Sequence, residues 1–278
     1  MIVLAAALLL QSVSQVEIAT AATDVVVIGA DAAASVTAES ANGAQRPVLS
    51  VTQGVARVRD ANESVRRVTG SYRITVPRSA HVVLRIRCVV EPDMPCPSAK
   101  VRIEGVASVA YQGFDGTAVI SNVRGDVTAE SLHGTVDVRS VGGGVSASSQ
   151  TNAIRVTDVR GPSTIRSVTG MIYLQSLLGG ASVTNTTGEI RLSGQVGSSA
   201  RYELTTDIGQ IRIALAEGSN ATIEVNAPSD AVRVFTPGAR VSRGGSRRRT
   251  VTIGSGSARI SARTLNGGVD IGQRHRAN

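Results

Sequence analysis

Five arginines fall within ten residues: Arg240, Arg243, Arg247, Arg248 and Arg249. Clustered guanidinium groups bind carboxylates and phosphates through paired, charge-assisted hydrogen bonds. The run lies in a Gly/Ser-rich excursion between Val234 and Val251. It therefore reads either as a solvated loop or as an anion-binding one, for acidic glycan or lipid headgroups. Cys88 and Cys96 are the only cysteines, and the stretch between them carries Pro92 and Pro95. Two thiols this close across a turn-rich connection predict a local disulfide in an oxidising compartment. A metal site would need two more ligands, and no histidine lies nearby.

Catalytic groupings are weaker. His81, His133 and His275 are the only histidines, and His133 falls at a bend beside Gly134. Asp126, Asp137, Asp158 and Glu189 are scattered and interleaved with Arg139, Arg155 and Arg191. Mixed charges of this kind make a solvated sheet face more simply than a carboxylate pair for glycoside cleavage. There is no nucleophile elbow or phosphate loop. A calcium-binding β-roll needs an Asp soon after its glycines, but Gly142-Gly143-Gly144 runs into Val145-Ser146-Ala147. The sequence thus points to no catalytic residue, no cofactor and no metal.

The elements that must position these groups are written in a repeat. From Gly116 to Gly197 every ninth residue is Gly, except Asn152. Gly and Asn most readily accept left-handed backbone, so each is expected to turn a corner. Apolar residues follow at the second, fourth and seventh places, as in Gly134 then Val136, Val138 and Val141. The sixth place is polar: Asn122, Ser131, Ser140, Ser149, Asp158, Ser167, Ser176 and Asn185. Each unit is a short strand and a bend. Units at 134, 152, 170 and 188 place two large aliphatics inside; those at 125, 143 and 179 pair Val with Ala. This alternation predicts an all-β, parallel β-solenoid with two short strands per roughly 18-residue coil.

The same offsets continue from about 99 to 272. Residues 22–98 do not keep the period, although Val25–Ile28, Val48–Val51, Tyr72–Val76 and Val82–Ile86 read as strands. They are expected to form an N-terminal β capping region over one end of the solenoid. Residues 273–278 form a basic tail in which Arg274, His275 and Arg276 solubilise the last edge. Across 278 residues there are only six aromatics and no Trp, so the core must be shallow and aliphatic. That argues against base- or sugar-stacking platforms and deep aromatic pockets.

The formal net charge is +8, with Lys100 the single lysine. Met1 to Leu10 is an apolar run too short to span a bilayer, and Ala19-Thr20-Ala21 supplies an A-x-A cleavage pattern. Residues 1–21 are therefore expected to be a signal peptide, with Ala22 the mature start and no transmembrane span after cleavage. The competing reading is a buried apolar N-terminal strand or helix. Export to the periplasm, cell envelope or extracellular surface follows from the first reading.

The chain resembles the bacterial DUF4097 β-strand-repeat proteins, which carry an adhesin label. The resemblance rests on Tyr72 to Pro77, the Val-x-Gly-x-Val-like units from 101 to 194, Tyr202 to Ile213 and Gly256 to Ile271. It implies an exported or envelope-associated β-solenoid and supplies no catalytic residues. The expected role is structural or surface-interacting, without nucleic acid. An anionic envelope polymer or another surface protein is the expected partner class.

Overall fold

The computed structural model describes residues 13–31, 35–41, 46–62, 68–88, 96, 98–228 and 231–274. These form 26 strands and no helix. The chain divides into two compact units, Met1–Val141 and Gly142–Asn278.

The first unit contains β1 (Gln15–Thr20), β2 (Ala22–Ala30), β3 (Thr37–Ala41), β4 (Val48–Thr52), β5 (Val55–Arg59), β6 (Val68–Pro77), β7 (His81–Ile86), β8 (Ser98–Glu104), β9 (Ser108–Gly113), β10 (Asp115–Val123), β11 (Val127–Ser131) and β12 (Thr135–Val141). One sheet runs β4-β5-β1-β7-β9-β11 and the other β3-β6-β2-β8-β10-β12. Strands alternate between the sheets and pair in parallel one coil apart, as Thr117 does with Thr135. Only the outermost pairs, β4 with β5 and β3 with β6, are antiparallel.

The second unit contains β13 (Val145–Ser149), β14 (Ile154–Val159), β15 (Ser163–Thr169), β16 (Ile172–Leu177), β17 (Ala181–Thr187), β18 (Ile190–Val196), β19 (Arg201–Ile208), β20 (Ile211–Ala216), β21 (Ala221–Asn226), β22 (Val232–Val234), β23 (Arg240–Arg243), β24 (Arg248–Ile253), β25 (Ala258–Asn266) and β26 (Val269–Arg274). Its sheets run β13-β15-β17-β19-β25-β21-β24-β23 and β14-β16-β18-β20-β26-β22. Its last coil, β25 and β26, is inserted before β21 and β22 rather than added at the end. The first coil of the first unit, β1 and β2, is likewise inserted inside β5 and β6. Each terminal coil is thus paired on both sides, and antiparallel strands close the exposed edges except at β22, a three-residue strand parallel to β26.

Aliphatic ladders fill the space between the sheets. Ile154, Ile172, Ile190, Ile211 and Val269 stand in register, as do Val156, Leu174, Leu192, Ile213 and Ile271. All ten are buried. The facing strands contribute the smaller set Val145, Ala147, Ser163, Ile165, Ala181 and Val183. Successive side chains lie about 4.8 Å apart, so each buried aliphatic packs on its neighbours above and below.

The corners differ from the expectation of left-handed backbone throughout. Asn152 (φ 77°) and Gly170 (φ 149°) do adopt it, but Gly161 does not. A Cβ at Gly161 would lie 2.5 Å from the backbone carbon of Gly143, one coil away. Close approach of stacked corners, more than backbone angle, requires glycine there. The polar sixth place splits into two roles. Asn122, Ser140, Asp158 and Ser176, one per coil, take φ of 54–56°. Ser131, Ser149, Ser167 and Asn185, on the facing strands, are buried. Asn185 Nδ2 donates to the Gly170 carbonyl at 2.9 Å, and Thr264 Oγ1 to that of Gly209 at 3.1 Å. Asn185 and Thr264 thus satisfy corner carbonyls that the parallel ladder leaves unpaired, whereas Ser131 Oγ accepts from the Gly134 N–H at 2.9 Å.

Two boundary expectations need correction. The stretch 22–98 is not a separate cap, because β2, β6 and β7 carry the parallel stacking. Only β3 and β4 behave as edge closures. The out-of-order insertion of β1 and β2, with connections of unequal length, hides the period in the sequence. Cleavage after Ala21 also does not fit this fold. β1 lies between β5 and β7, with Val16 and Ile18 buried. Asp60 binds the corner that follows: its carboxylate accepts from Thr20 Oγ1 at 2.6 Å, the Ala21 N–H at 2.9 Å and Arg87 at 2.6 Å. Removing residues 1–21 would strip out a central strand. The apolar run up to Leu10 lies outside the described residues, as do His275 and Arg276 of the basic tail.

Candidate functional site

The arginine run is a β-hairpin, not an irregular loop. β23 and β24 pair antiparallel, with Arg240 opposite Thr252, Val241 opposite Val251 and Arg243 opposite Arg249. Opposed residues share a face. Val251 is buried, so Arg243 and Arg249 lie on its side, whereas Arg240 and Arg248 point outward. Arg247 sits in the turn and donates to the Leu265 carbonyl at 3.2 Å. Strand alternation therefore divides the five arginines, and no single site collects them.

The outward pair joins a larger field. β24 pairs with β21, β21 with β25, and β25 with β19. Reading the outward residues across this register gives three rows. One holds Arg201, Arg259, Thr222, Thr252 and Arg240. The middle row holds Glu203, Ser261, Glu224, Thr250 and Ser242. The third holds Thr205, Arg263, Asn226 and Arg248. A groove of about 610 Å³ is lined by Arg201, Glu203, Thr222, Glu224, Arg259 and Ser261. Arg201 and Arg259 are cross-strand neighbours of like charge, an arrangement that costs stability unless an anion sits between them.

Sequence reasoning found Arg240 and Arg248 but missed Arg201, Arg259 and Arg263. Their signal is period-two alternation in Arg259-x-Ser261-x-Arg263 around the buried Ile260 and Ala262. That β25 lies beside β19 was not legible, because the stacking order departs from chain order.

The opposite sheet of the same unit carries a different outward ladder, Arg155, Tyr173, Arg191, Arg212 and Asp270. The guanidiniums of Arg155 and Arg191 lie 5.1 and 5.4 Å from the Tyr173 ring centroid. Both are cation–π contacts, so the ring serves the arginines rather than standing free as a stacking platform. Glu189 pairs with Arg191 at 2.6 Å, and this hydrogen bond further favours the charged guanidinium.

In the first unit His81 Nδ1 lies 2.6 Å from Ser108 Oγ. This base–nucleophile contact sits on an open sheet strand, with no carboxylate bonded to the other ring nitrogen among the described residues. Acyl-transfer chemistry requires that third group and an oxyanion hole. No group of three or more metal-ligating side chains occurs among the described residues. No described helix is long and apolar enough to cross a membrane. Cys88 and Cys96 are disulfide-bonded, with Cα atoms 5.5 Å apart. The intervening residues 89–95 lie outside the described set.

A family model described as Toastrack DUF4097 matches residues 97–272. This chain belongs to that family. The match begins at β8 and runs through β26, so it takes in the whole arginine field of the Toastrack repeat. No curated protein matches the sequence. Among solved structures, a "putative cell adhesion protein" from Clostridium sporogenes ATCC 15579 aligns at 7% identity and a TM-score of 0.27. The alignment covers 95% of this chain and 93% of that one. A score this low carries no argument, and the solenoid architecture rests on the strand pairings above.

Proposed function

We propose that this Toastrack protein is an exported, non-catalytic β-solenoid with an adhesin-like structural or surface-interaction role in the bacterial cell envelope. The family membership carries this reading. The repeat supports it by building, in each unit, largely polar sheet faces over a thin aliphatic core. Such faces suit recognition of extended partners better than turnover of a small enclosed substrate. The Cys88–Cys96 disulfide is what an oxidising compartment favours. The experiment is attachment of producing cells to a natural surface, comparing the parent strain, a deletion and a complemented deletion. Loss on deletion and recovery on complementation is expected. Unchanged attachment in the deletion would reject the role.

A second reading, an anionic glycan- or lipid-binding module using residues 240–249, gains support from one observation. Arg240 and Arg248 stand on a face that three further arginines share.

A further inference from the structure

We infer that the outer face of β19, β25, β21, β24 and β23 binds a linear acidic polysaccharide, using Arg201, Arg259, Arg263, Arg248 and Arg240. Five strands at about 4.8 Å spacing make a strip about 19 Å wide, and rows two residues apart lie about 7 Å from one another. The strip has cations along both margins and Glu203, Glu224 and hydroxyls down the middle. An extended acidic glycan matches that order. Its carboxylates or sulfates project from its edges toward the guanidiniums. Its ring hydroxyls donate to Glu203 and Glu224 and exchange hydrogen bonds with Ser261, Thr250 and Ser242.

None of the five arginines makes an ion pair or side-chain hydrogen bond among the described residues. On the opposite sheet, by contrast, Glu189 pairs with both Arg191 and Arg212, at 2.6 and 3.2 Å. Five positive and two negative charges in the three rows, with Asp207 one step further along β19 as a third acid, leave the face basic. The outward positions of the three rows are Arg, Glu, Ser, Thr and Asn; Leu265, the next outward position along β25, is apolar and exposed, and one leucine gives a bilayer little to hold. This favours a hydrophilic polymer over a lipid surface. The hairpin alone does not suffice, because Arg243 and Arg249 face the other way.

The test measures binding of the full chain to polygalacturonate and heparin, with dextran as the neutral polymer and phosphatidylserine vesicles as the membrane probe. Arg201→Ser, Arg259→Ser and Arg263→Ser combined should weaken polyanion binding roughly tenfold or more. Arg155→Ser, Arg191→Ser and Arg212→Ser combined remove the same charge from the opposite sheet and should change it less than threefold. All six sites are solvent-facing, and circular dichroism checks folding of both variants. Equal losses in the two variants would reduce the effect to net charge and overturn the proposal. So would vesicle binding without polysaccharide binding, or no binding to either polyanion. The biological setting rests on the surface-interaction reading, but the two fail separately. Attachment that survives the Arg201, Arg259 and Arg263 variant defeats the site and leaves the role. Attachment that is insensitive to deletion defeats the role and leaves the binding measurement intact.

Discussion

A Cβ at Gly170 would collide with the carbonyl oxygen of Asn152, and the residue already has φ of 149°. Gly170→Ala should therefore cost about 3 kcal/mol in urea unfolding, while Asn152→Gly should shift stability by only a few tenths. Equal effects would mean that backbone angle, not stacking distance, dictates the corner. Tyrosine supplies the second residue-scale expectation. Burial pushes the Tyr111 phenol up to about 12. A raised folded-state value leaves stability intact below pH 10 and loses it between pH 10 and 12, because the unfolded chain ionises first. Tyr111→Phe should flatten that decline by about 2–3 kcal/mol. Parallel alkaline unfolding curves for the two proteins would contradict this. The corner residues were legible as residue types at a fixed interval. Their reason was not, since contacts between residues 18 apart appear only when coils stack.

At the scale of elements, β1 and the hairpin decide most. β1 fills the gap between β5 and β7, so a chain starting at Ala22 should not refold cooperatively, whereas one starting at Gln15 should. N-terminal sequencing of exported protein is expected to find a start at or before Gln15; a start at Ala22 would contradict the placement of β1. Reduction of Cys88–Cys96 releases a short loop's constraint and should cost about 2–3 kcal/mol. A thiol titration of the native protein should find no free thiol. The sequence announced β10 to β18 through an unbroken nine-residue period, and the same apolar offsets, with bends of altered length, carried on to either side. It concealed where the terminal coils insert, because pairing of β25 with both β19 and β21 leaves no trace in residue spacing. The arginine face depends on that insertion, so only Arg240 and Arg248 were legible beforehand.

At the scale of the whole molecule, scarcity of aromatics and abundance of glycine have one origin. Stacked coils need glycine where corners meet and aliphatic side chains where two sheets face each other. The architecture therefore supplies area and repetition, and the chemistry lies on its outer surfaces. The proposed interaction role requires those surfaces to lie outside the cytoplasm of the producing cell. Labelling intact cells with a membrane-impermeant, lysine- and arginine-independent probe, such as an antibody to a tag at the C-terminus, addresses this directly. Labelling of intact cells at the level seen after lysis is the result expected for a surface-displayed protein. Labelling only after the cytoplasm is opened would contradict the account.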